Sequence, residues 1–277
     1  MDDGVDILMI TYNRPDYTEL SLRRLLETSD EKVRVWLWHN GGHEATLNVI
    51  GKFKNHPRLH KFHHSKENVK LTEPTNWLWE NSVGAYVGKV DDDCLVSKGW
   101  VDTLRQAHED EPKFGILGCW IYLEEDFIPE FAMKKIFTFG GGHRIMQNCW
   151  IGGSGYLMKR ACIEEAGLIN SNLSFTQYGK MLARSGWIHG WYYPFLPHEH
   201  MDDPRSDHSL LRTDEDLKKF LPLSAQKSGV KSLVEWQNRL ARSARELQSA
   251  PIDPKYYFGW RRKLRGIKER LLESHSY

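Results

Sequence analysis

Apolar runs alternate with helical patterns along the chain as far as Leu123. Five such runs predict β-strands by their length and apolar character, at residues 5–12, 33–38, 59–63, 86–90 and 115–123. Helices are predicted to begin near Pro15, Thr72 and Trp100, where apolar positions follow at helical spacing. Strands that alternate with helices are typical of βαβ units. The pattern therefore predicts an α/β fold with a Rossmann-like, mostly parallel central sheet flanked by helices.

After Leu123 the pattern becomes irregular, and towards the end of the chain it becomes helical. A glycine-rich segment at residues 152–155 precedes a predicted helix at residues 159–166. Further on, Ser232 and Glu235 have the spacing of a capping box, and five apolar residues follow helical spacing: Leu233, Trp236, Leu240, Ala244 and Leu247. We therefore expect an α/β domain at residues 1–221 and a helical C-terminal extension at residues 222–277.

Polar residues follow three of the predicted strands directly. They lie at residues 11–14, 39–42 and 91–93. In a parallel sheet the functional loops lie beyond the carboxyl ends of the strands, so we expect these segments to meet at one edge. Their combination indicates a ligand site more strongly than any one of them.

Three successive carboxylates, Asp91, Asp92 and Asp93, lie between an apolar strand and further apolar residues. Their mutual repulsion requires a counter-charge, and oxygen ligands suit a hard divalent cation such as Mg²⁺ or Mn²⁺. A solvated acidic turn is the alternative interpretation. His198 and His200 are two positions apart, so an extended segment would turn both rings towards one face and make them candidate ligands. Surface or hydrogen-bonding roles are the alternative for these histidines.

Composition narrows the class of protein further. The 277 residues carry 38 Lys and Arg against 37 Asp and Glu, a net charge of +1, which argues against attraction of the whole surface to nucleic acid or anionic lipid. Four widely spaced cysteines and an acidic N-terminus predict a reducing, cytoplasmic location, and no apolar stretch is long enough to span a membrane. The 11 tryptophans suit either a large core or stacking surfaces for sugars and bases.

The tail of the chain is locally basic. Residues 255–272 contain seven Lys or Arg and one Glu, and around an apolar stripe at residues 260–271 they predict a basic amphipathic helix. Such a helix suits an anionic membrane surface, which would place the protein at the inner face of a membrane. It also suits a nucleic acid such as DNA, or docking on the protein's own body.

Taken in order, these motifs resemble the family 2 nucleotide-sugar glycosyltransferases of the GT-A fold. The resemblance covers roughly residues 5–205. It is carried by residues 7–14, 38–42, Asn68, Asn76, 90–93, 99–100, 152–160 and 165–168. The Asp91–Asp93 segment resembles the DXD motif of this family.

The resemblance implies metal-assisted transfer of a sugar from a nucleoside diphosphate, with a UDP-sugar as the expected donor, to a hydroxyl acceptor. It implies that Mn²⁺ or Mg²⁺ is held by Asp91, Asp93, His198 and His200. It further implies a nucleotide-sugar pocket formed by Thr11, Tyr12, Asn13, Arg14, His39, Asn68, Asn76, Asp91, Asp92, Gly152 and Gly153.

The chain departs from the family pattern at two points. His39 stands where relatives usually carry an Asp that contacts the base, which leaves the nucleotide open. The acidic pair that serves as general base in inverting members has no counterpart, because residues 166–196 contain no Asp or Glu. Asp202 and Asp203 are the substitutes that the sequence offers. Family membership favours inversion, and retention of configuration, which needs no such base, is the alternative.

The acceptor is left open among a glycan, a lipid-linked glycan and a modified nucleic acid. Two other classes of protein also fit part of the pattern. A catalytically inactive sugar- or nucleic-acid-binding relative would explain the missing base and the basic tail. A nucleotidyltransferase would share the sheet and the acidic site, but it usually has a Gly-rich, basic phosphate loop after the first strand, which residues 11–14 lack.

Overall fold

The computed structural model describes residues 2–220 and 222–259, so the predicted helix at residues 260–271 lies outside the described residues. The strands are β1 (Asp2–Thr11), β2 (Val33–Asn40), β3 (Leu59–Ser65), β4 (Gly84–Asp91), β5 (Cys94–Val96), β6 (Phe114–Gly118), β7 (Ile136–Thr138), β8 (Arg144–Asn148), β9 (Tyr156–Lys159), β10 (Ile188–Tyr193) and β11 (His198–His200). The α-helices are α1 (Pro15–Glu27), α2 (Glu44–Gly51), α3 (Thr72–Asn81), α4 (Trp100–Asp110), α5 (Pro129–Ala132), α6 (Arg160–Ala166), α7 (Phe175–Arg184), α8 (Asp214–Phe220), α9 (Leu223–Lys227) and α10 (Leu233–Ser249).

Within the described residues, nine strands form one sheet in the order β3-β2-β1-β4-β9-β6-β10-β8-β7. The half built from β3, β2, β1 and β4 is parallel, as is the β6–β10 pair. In contrast, β9 runs antiparallel between β4 and β6, and β8 and β7 extend the far edge antiparallel. The predicted α/β class is confirmed.

Helices cover both faces of the sheet because the side chains of β1 alternate between two apolar clusters. Val5, Ile7 and Met9 pack with apolar residues of α1 and α4 on one face. Leu8 and Ile10 pack with residues of α3 and α7 on the other. Among the described residues, seven tryptophans are 4% exposed or less, so most of the tryptophan excess forms core: Trp36, Trp38, Trp79, Trp100, Trp120, Trp191 and Trp236.

The elements after the parallel half differ most from the prediction. The run predicted as a strand at residues 115–123 ends its pairing in the sheet at Gly118, because the next two amides donate hydrogen bonds to Gly155 and Leu196. Helix α7 was not predicted, although Ser174 and Gln177 form a full capping box at its start. The short helix α2 and the antiparallel strands β7, β8 and β9 were not predicted either.

The C-terminal helices pack together and against the α/β part. Ser232 caps the start of α10: its hydroxyl accepts a hydrogen bond from the amide of Glu235 at 3.2 Å. Near its end, the Gln248 side chain donates to the carbonyl oxygen of Asp126 at 2.8 Å and accepts from the amide of Ile128 at 2.7 Å. These bonds attach the helix to the loop before α5. The division at residue 221 stays a prediction.

No helix in the part of the chain that the structure describes is both long enough and apolar enough to cross a membrane.

His189 is buried inside the sheet region and connects three elements. Its Nδ1 accepts a hydrogen bond from the amide of Ile116 at 2.9 Å, and its Nε2 donates to the carbonyl oxygen of Gly179 at 3.1 Å. This pattern requires the neutral imidazole, because one ring nitrogen must accept. Burial lowers the pKa of His189 to about 3.

We expect His189 to make the fold less stable as the pH is lowered. Histidine in the unfolded chain titrates near pH 6.5, whereas folded His189 stays neutral until about pH 3. Between these values the unfolded chain binds a proton that the folded chain does not. The free energy of unfolding therefore falls by about 1.4 kcal/mol for each unit of decreasing pH.

The measurement is urea denaturation of the parent protein and of His189→Gln at pH 6.5 and pH 5. The comparison with the variant is needed because burial also raises the pKa of Asp92 to about 7 and of Asp202 to about 6, which shifts stability in the opposite direction. Over this range the parent should lose about 2 kcal/mol more than the variant. Equal losses would contradict the prediction.

Candidate functional site

A two-stranded antiparallel pairing brings the late histidines to the acidic segment. Strand β5 follows Asp93 directly, and β11 pairs with it so that His200 lies opposite Cys94. The amide of Met201 donates a hydrogen bond to the carbonyl oxygen of Asp93 at 2.8 Å. The segment 198–203 therefore runs alongside the end of β4, although it lies more than a hundred positions further along the chain.

Three side chains form a group that suits a metal ion: Asp93, His200 and Asp202. One potential ligand atom from each lies within 4.8 Å of the others. Mn²⁺ is readily coordinated by two carboxylates and an imidazole. Mg²⁺ would be coordinated mainly by the carboxylate oxygens. The residues present therefore fit a divalent cation.

The Arg14 guanidinium lies against both carboxylates of this group. Its Nη1 donates to Asp93 Oδ2 at 3.1 Å and to Asp202 Oδ2 at 2.9 Å, and its Nη2 pairs with Asp202 Oδ1. Asp202 is almost fully buried, at 2% exposure, so a counter-charge is required for it to stay ionised. Arg14, the residue immediately before α1, supplies that charge.

The first turn of α1 also contacts the segment after β11. The Tyr17 hydroxyl donates to the carbonyl oxygen of Met201 at 2.7 Å and accepts from the amide of Leu210 at 2.8 Å. Thr18 donates to the carboxylate of Asp92 at 3.2 Å. One helical turn thus connects both parts of the site.

The two carboxylates of the group differ in their pKa values. Burial acts to raise the pKa of Asp93, but His200 and Arg14 outweigh it, and the pKa lies well below its usual range. Burial and the neighbouring Asp93 raise the pKa of Asp202 to about 6, in spite of Arg14. The surroundings of Asp93 therefore favour its ionised form, whereas burial and the charge of Asp93 act against ionisation of Asp202.

The first two aspartates of the acidic segment have other partners. The Asp91 carboxylate forms an ion pair with Lys89, and the backbone amide of Asp91 donates a hydrogen bond to the Ser154 hydroxyl at 2.9 Å. Burial raises the pKa of the Asp91 carboxyl group. Asp92 accepts from the amide of Tyr12 at 3.1 Å, and burial together with Asp93 raises its pKa to about 7. Asp91 lies outside the three-residue group, and so does Asp92.

The His198 ring has different neighbours from the His200 ring. Its ring is buried against Gly155, and its Nε2 lies 3.4 Å from the Ser154 hydroxyl. Burial lowers the pKa of His198 to about 3, so the ring is neutral. Of the four side chains predicted to hold a metal, the structure brings Asp93 and His200 together with Asp202.

A row of polar side chains crosses the carboxyl ends of the three strands beside this group. In the strand register Thr11 lies opposite His39, and His39 lies opposite His64. The Thr11 hydroxyl is 2.8 Å from His39 Nδ1, and His64 Nε2 donates to the carbonyl oxygen of Gly41 at 2.8 Å. Burial lowers the pKa of His39 to about 4, and its Nε2 has no hydrogen-bond partner within the described residues.

Of the other residues of the predicted nucleotide pocket, Asn13, Asn68, Gly152 and Gly153 lie in loops and Asn76 lies in α3. Asn13 is exposed at a positive φ of 53°, and Asn68 accepts a hydrogen bond from the amide of Lys70 at 2.9 Å. The Asn76 amide forms two hydrogen bonds with the backbone of Ile169, at 2.9 and 3.0 Å. Gly152 and Gly153 are exposed in the loop that leads to Ser154.

The two predicted general bases have different neighbours. Asp203 forms two hydrogen bonds with Arg205, at 3.0 and 2.7 Å, and Arg205 also pairs with Asp126 at 2.8 Å. Asp202 belongs to the cation group. Its ligand-like position was not predicted, because it depends on the turn that follows β11 at His200.

Lys89 was also missed as a site residue, whereas Asn40 and Ser154 were not named individually but lie in the predicted segments 39–42 and 152–155. Lys89 and Ser154 hold Asp91, as described above. Asn40 accepts from the amide of Val69 at 3.2 Å and donates to the carbonyl oxygen of Lys70 at 3.1 Å, which fixes the loop after β3. Lys89 and Asn40 lie at or near the ends of strands that were predicted, so their position was a usable signal.

Solved structures with the same architecture are glycosyltransferases of the GT-A fold. TarS from S. aureus, residues 1–349, in complex with UDP-GlcNAc has a TM-score of 0.57 and 12% sequence identity, over 91% of this chain and 89% of that chain. The mannosyltransferase PcManGT from Pyrobaculum calidifontis, in complex with GDP-Man and Mn²⁺, has a TM-score of 0.55 and 14% identity, over 97% and 84% of the two chains. This chain has the GT-A fold.

The sequence matches the profile described as glycosyl transferase family 2 over residues 6–165. The protein belongs to that family. No match is found among curated proteins.

Proposed function

We propose that this protein is a metal-dependent glycosyltransferase that transfers a sugar from a nucleoside-diphosphate sugar to a hydroxyl acceptor. The observation that carries this proposal is the group of Asp93, His200 and Asp202 at the carboxyl edge of a family 2 sheet. The complexes of PcManGT with GDP-Man and Mn²⁺ and of TarS with UDP-GlcNAc support a nucleotide-sugar donor and a divalent cation.

In this reaction the anomeric carbon of the sugar exchanges its bond to a diphosphate oxygen for a bond to the acceptor oxygen. The diphosphate leaves with the bonding electrons, and the hydroxyl proton of the acceptor is released. A divalent cation held by Asp93, His200 and Asp202 would neutralise negative charge on the departing diphosphate.

Arg14 has a second task in this proposal. Its guanidinium neutralises Asp93 and Asp202 in the ligand-free protein, and a planar guanidinium also binds phosphate oxygens well. We propose that Arg14 gives up part of this pairing when cation and diphosphate bind, and then contacts the diphosphate. The positive charge at the start of α1 would help to hold the diphosphate anion.

The neighbouring row of Thr11, His39 and His64 supports a nucleobase site. Neutral His39, near the carboxyl end of β2, offers one buried ring nitrogen without a partner in the described part of the chain. Such a group forms a single hydrogen bond to a base rather than the charged contact of an aspartate. We propose a UDP-sugar as the donor.

The position of Asp202 favours a role as cation ligand over its predicted role as general base. Asp203 pairs with Arg205, which occupies both of its carboxylate oxygens. We keep inversion as the proposed outcome on family membership. The anomeric proton of the product, observed by NMR, distinguishes inversion from retention.

The test of the proposed function is a panel of UDP-, GDP-, dTDP- and CMP-sugars incubated with the protein and Mn²⁺. We expect nucleotide release from one class of donor, strongest with UDP-sugars, and complete loss of release when EDTA removes the cation. Chromatography of the released nucleotide measures the rate. No release from any donor would contradict the proposal and would favour an inactive relative.

A further inference from the structure

A cavity of about 290 Å³ lies between α10 and the segment that follows β6. Its apolar wall is formed by Ile121, Tyr122, Trp236 and Leu240. His200 of the cation group also lines it, so anything bound there lies beside the proposed reaction centre. The volume is at the lower end of the range for ligand pockets and suits a group about the size of one sugar ring.

The wall formed by α10 is fixed to the cation group. Trp236 is 3% exposed, and its indole nitrogen donates a hydrogen bond to the carbonyl oxygen of Asp202 at 2.7 Å. The orientation of this ring is therefore set by the same residue whose carboxylate belongs to the cation group. The Trp236 wall of the cavity is thus held in a fixed position relative to the cation group.

The polar side of the cavity contains a positively charged side chain, that of Arg239. Arg239 and Ser243 both line the cavity, and they are four positions apart on α10, so they lie next to each other on one face of the helix. Within residues 2–220 and 222–259, Arg239 forms no ion pair. Arg14 and Arg205, in contrast, each pair with at least two carboxylates.

A guanidinium group binds phosphate and carboxylate groups through two parallel hydrogen bonds. The cavity therefore combines an aromatic and aliphatic wall with one cationic group and a hydroxyl. This combination suits a ring or short chain that carries hydroxyl groups and one anionic substituent.

We propose that this cavity binds the acceptor, a hydroxyl compound with a phosphate or carboxylate group, and that Arg239 binds the anionic group. The inference rests on the proposed function, because the contact of the cavity with His200 identifies its occupant as the acceptor. It assigns the C-terminal helix α10, which lies beyond the residues that match the family profile, a part in substrate recognition.

The test measures binding of three small probes by isothermal titration calorimetry: glucose 6-phosphate, glucuronate and glucose. The buffer contains EDTA, so that no anion binds through a metal ion. We expect at least one of the two anions to bind at least tenfold more tightly than glucose. The tighter of the two identifies the preferred anionic group.

Arg239→Ala should remove this preference, so that the anions and glucose bind equally weakly. Arg242→Ala is the matched control, because Arg242 is an exposed arginine on the same helix that does not line the cavity. It should keep the preference. Circular dichroism confirms that both variants are folded.

The inference is overturned if the parent protein binds neither anion more tightly than glucose, or if Arg239→Ala keeps the preference. A separate titration of the parent protein with UDP and Mg²⁺ distinguishes the two proposals. Failure to bind UDP or any other nucleoside diphosphate, with the preference for the anions intact, would contradict the proposed function and not the anion site.

Discussion

Asp93→Asn is expected to weaken the binding of Mn²⁺ by about 100-fold or more. Asp93 supplies one of the three side chains of the cation group, and it is the carboxylate whose pKa lies well below its usual range. The amide keeps one oxygen but has no negative charge, so it binds a hard cation more weakly than the carboxylate does. Changes in residues that only support ligands typically cost 10- to 100-fold in metal affinity, so loss of a ligand should cost at least as much.

The measurement is a titration with Mn²⁺ followed by electron paramagnetic resonance, which detects the free ion. Asp92→Asn is the matched control from the adjacent position. Asp92 lies outside the cation group and accepts hydrogen bonds from the amide of Tyr12 and the hydroxyl of Thr18. An asparagine oxygen can accept both bonds, so Mn²⁺ affinity should stay within a few-fold of that of the parent.

Equal losses in the two variants would contradict this assignment. Such a result would show that the acidic segment attracts the cation through its total charge and not through one defined ligand. Normal Mn²⁺ affinity in Asp93→Asn would remove Asp93 from the metal site altogether.

Gly155→Ala is expected to lower the free energy of unfolding by about 3 kcal/mol. A Cβ atom at this position would lie 2.3 Å from Nδ1 and 2.5 Å from Cε1 of the His198 ring. The ring is buried at 2% exposure and has little freedom to move. Overpacking of this kind costs about 1–3 kcal/mol, and the φ of +65° adds about 1 kcal/mol for a residue with a side chain.

The backbone at Gly155 also cannot move away without cost. Its amide donates to the carbonyl oxygen of Lys89 at 2.7 Å, and its own carbonyl oxygen accepts from the amide of Cys119 at 2.8 Å. Gly155 therefore joins β4 to the segment after β6. Displacement of His198 would carry β11, and with it His200, away from Asp93.

Gly152→Ala is the control for this prediction. In the part of the chain that the structure describes, no atom lies within 4 Å of a Cβ at Gly152, and the φ of Gly152 is not in the positive region. Urea denaturation should give a stability within about 0.5 kcal/mol of that of the parent. A small change in Gly155→Ala, similar to that in Gly152→Ala, would show that the His198 ring adapts and would contradict the packing argument.

Strands β1, β2 and β4 of the parallel half could be predicted because each is largely apolar and is followed by polar residues. Strand β3 was recognised in spite of its exposed side chains. The antiparallel strands β7, β8 and β9 were not recognised, because they lie among glycines and aromatic residues without regular alternation. Their pairing depends on contacts far along the chain, which local pattern does not encode.

Dependence on contacts between distant parts of the chain also limits how much of the site can be predicted from the sequence. Asp93 and His200 were recognised by residue type, position and resemblance. The participation of Asp202 depends on the pairing of β11 with β5 and on the counter-charge of Arg14, and both arise only in the folded chain. His198 and His200 share one face of β11 but have different environments, because the loop at Gly155 packs against the His198 ring. The spacing of the two histidines alone does not show this difference.

Hydrogen bonds join the start of α1 to the segment after β11, so we expect these two parts of the site to unfold locally in one step. Arg14 and Tyr17 bind Met201, Asp202 and Leu210, which lie 184 to 193 positions further along the chain. Opening the segment after β11 would break these bonds together and would leave Arg14 with Asp93 as its remaining ion-pair partner within the described residues. The N-terminal turn and the late segment therefore form one cooperative unit, whose opening equilibrium also sets how often the carboxylates are exposed to water.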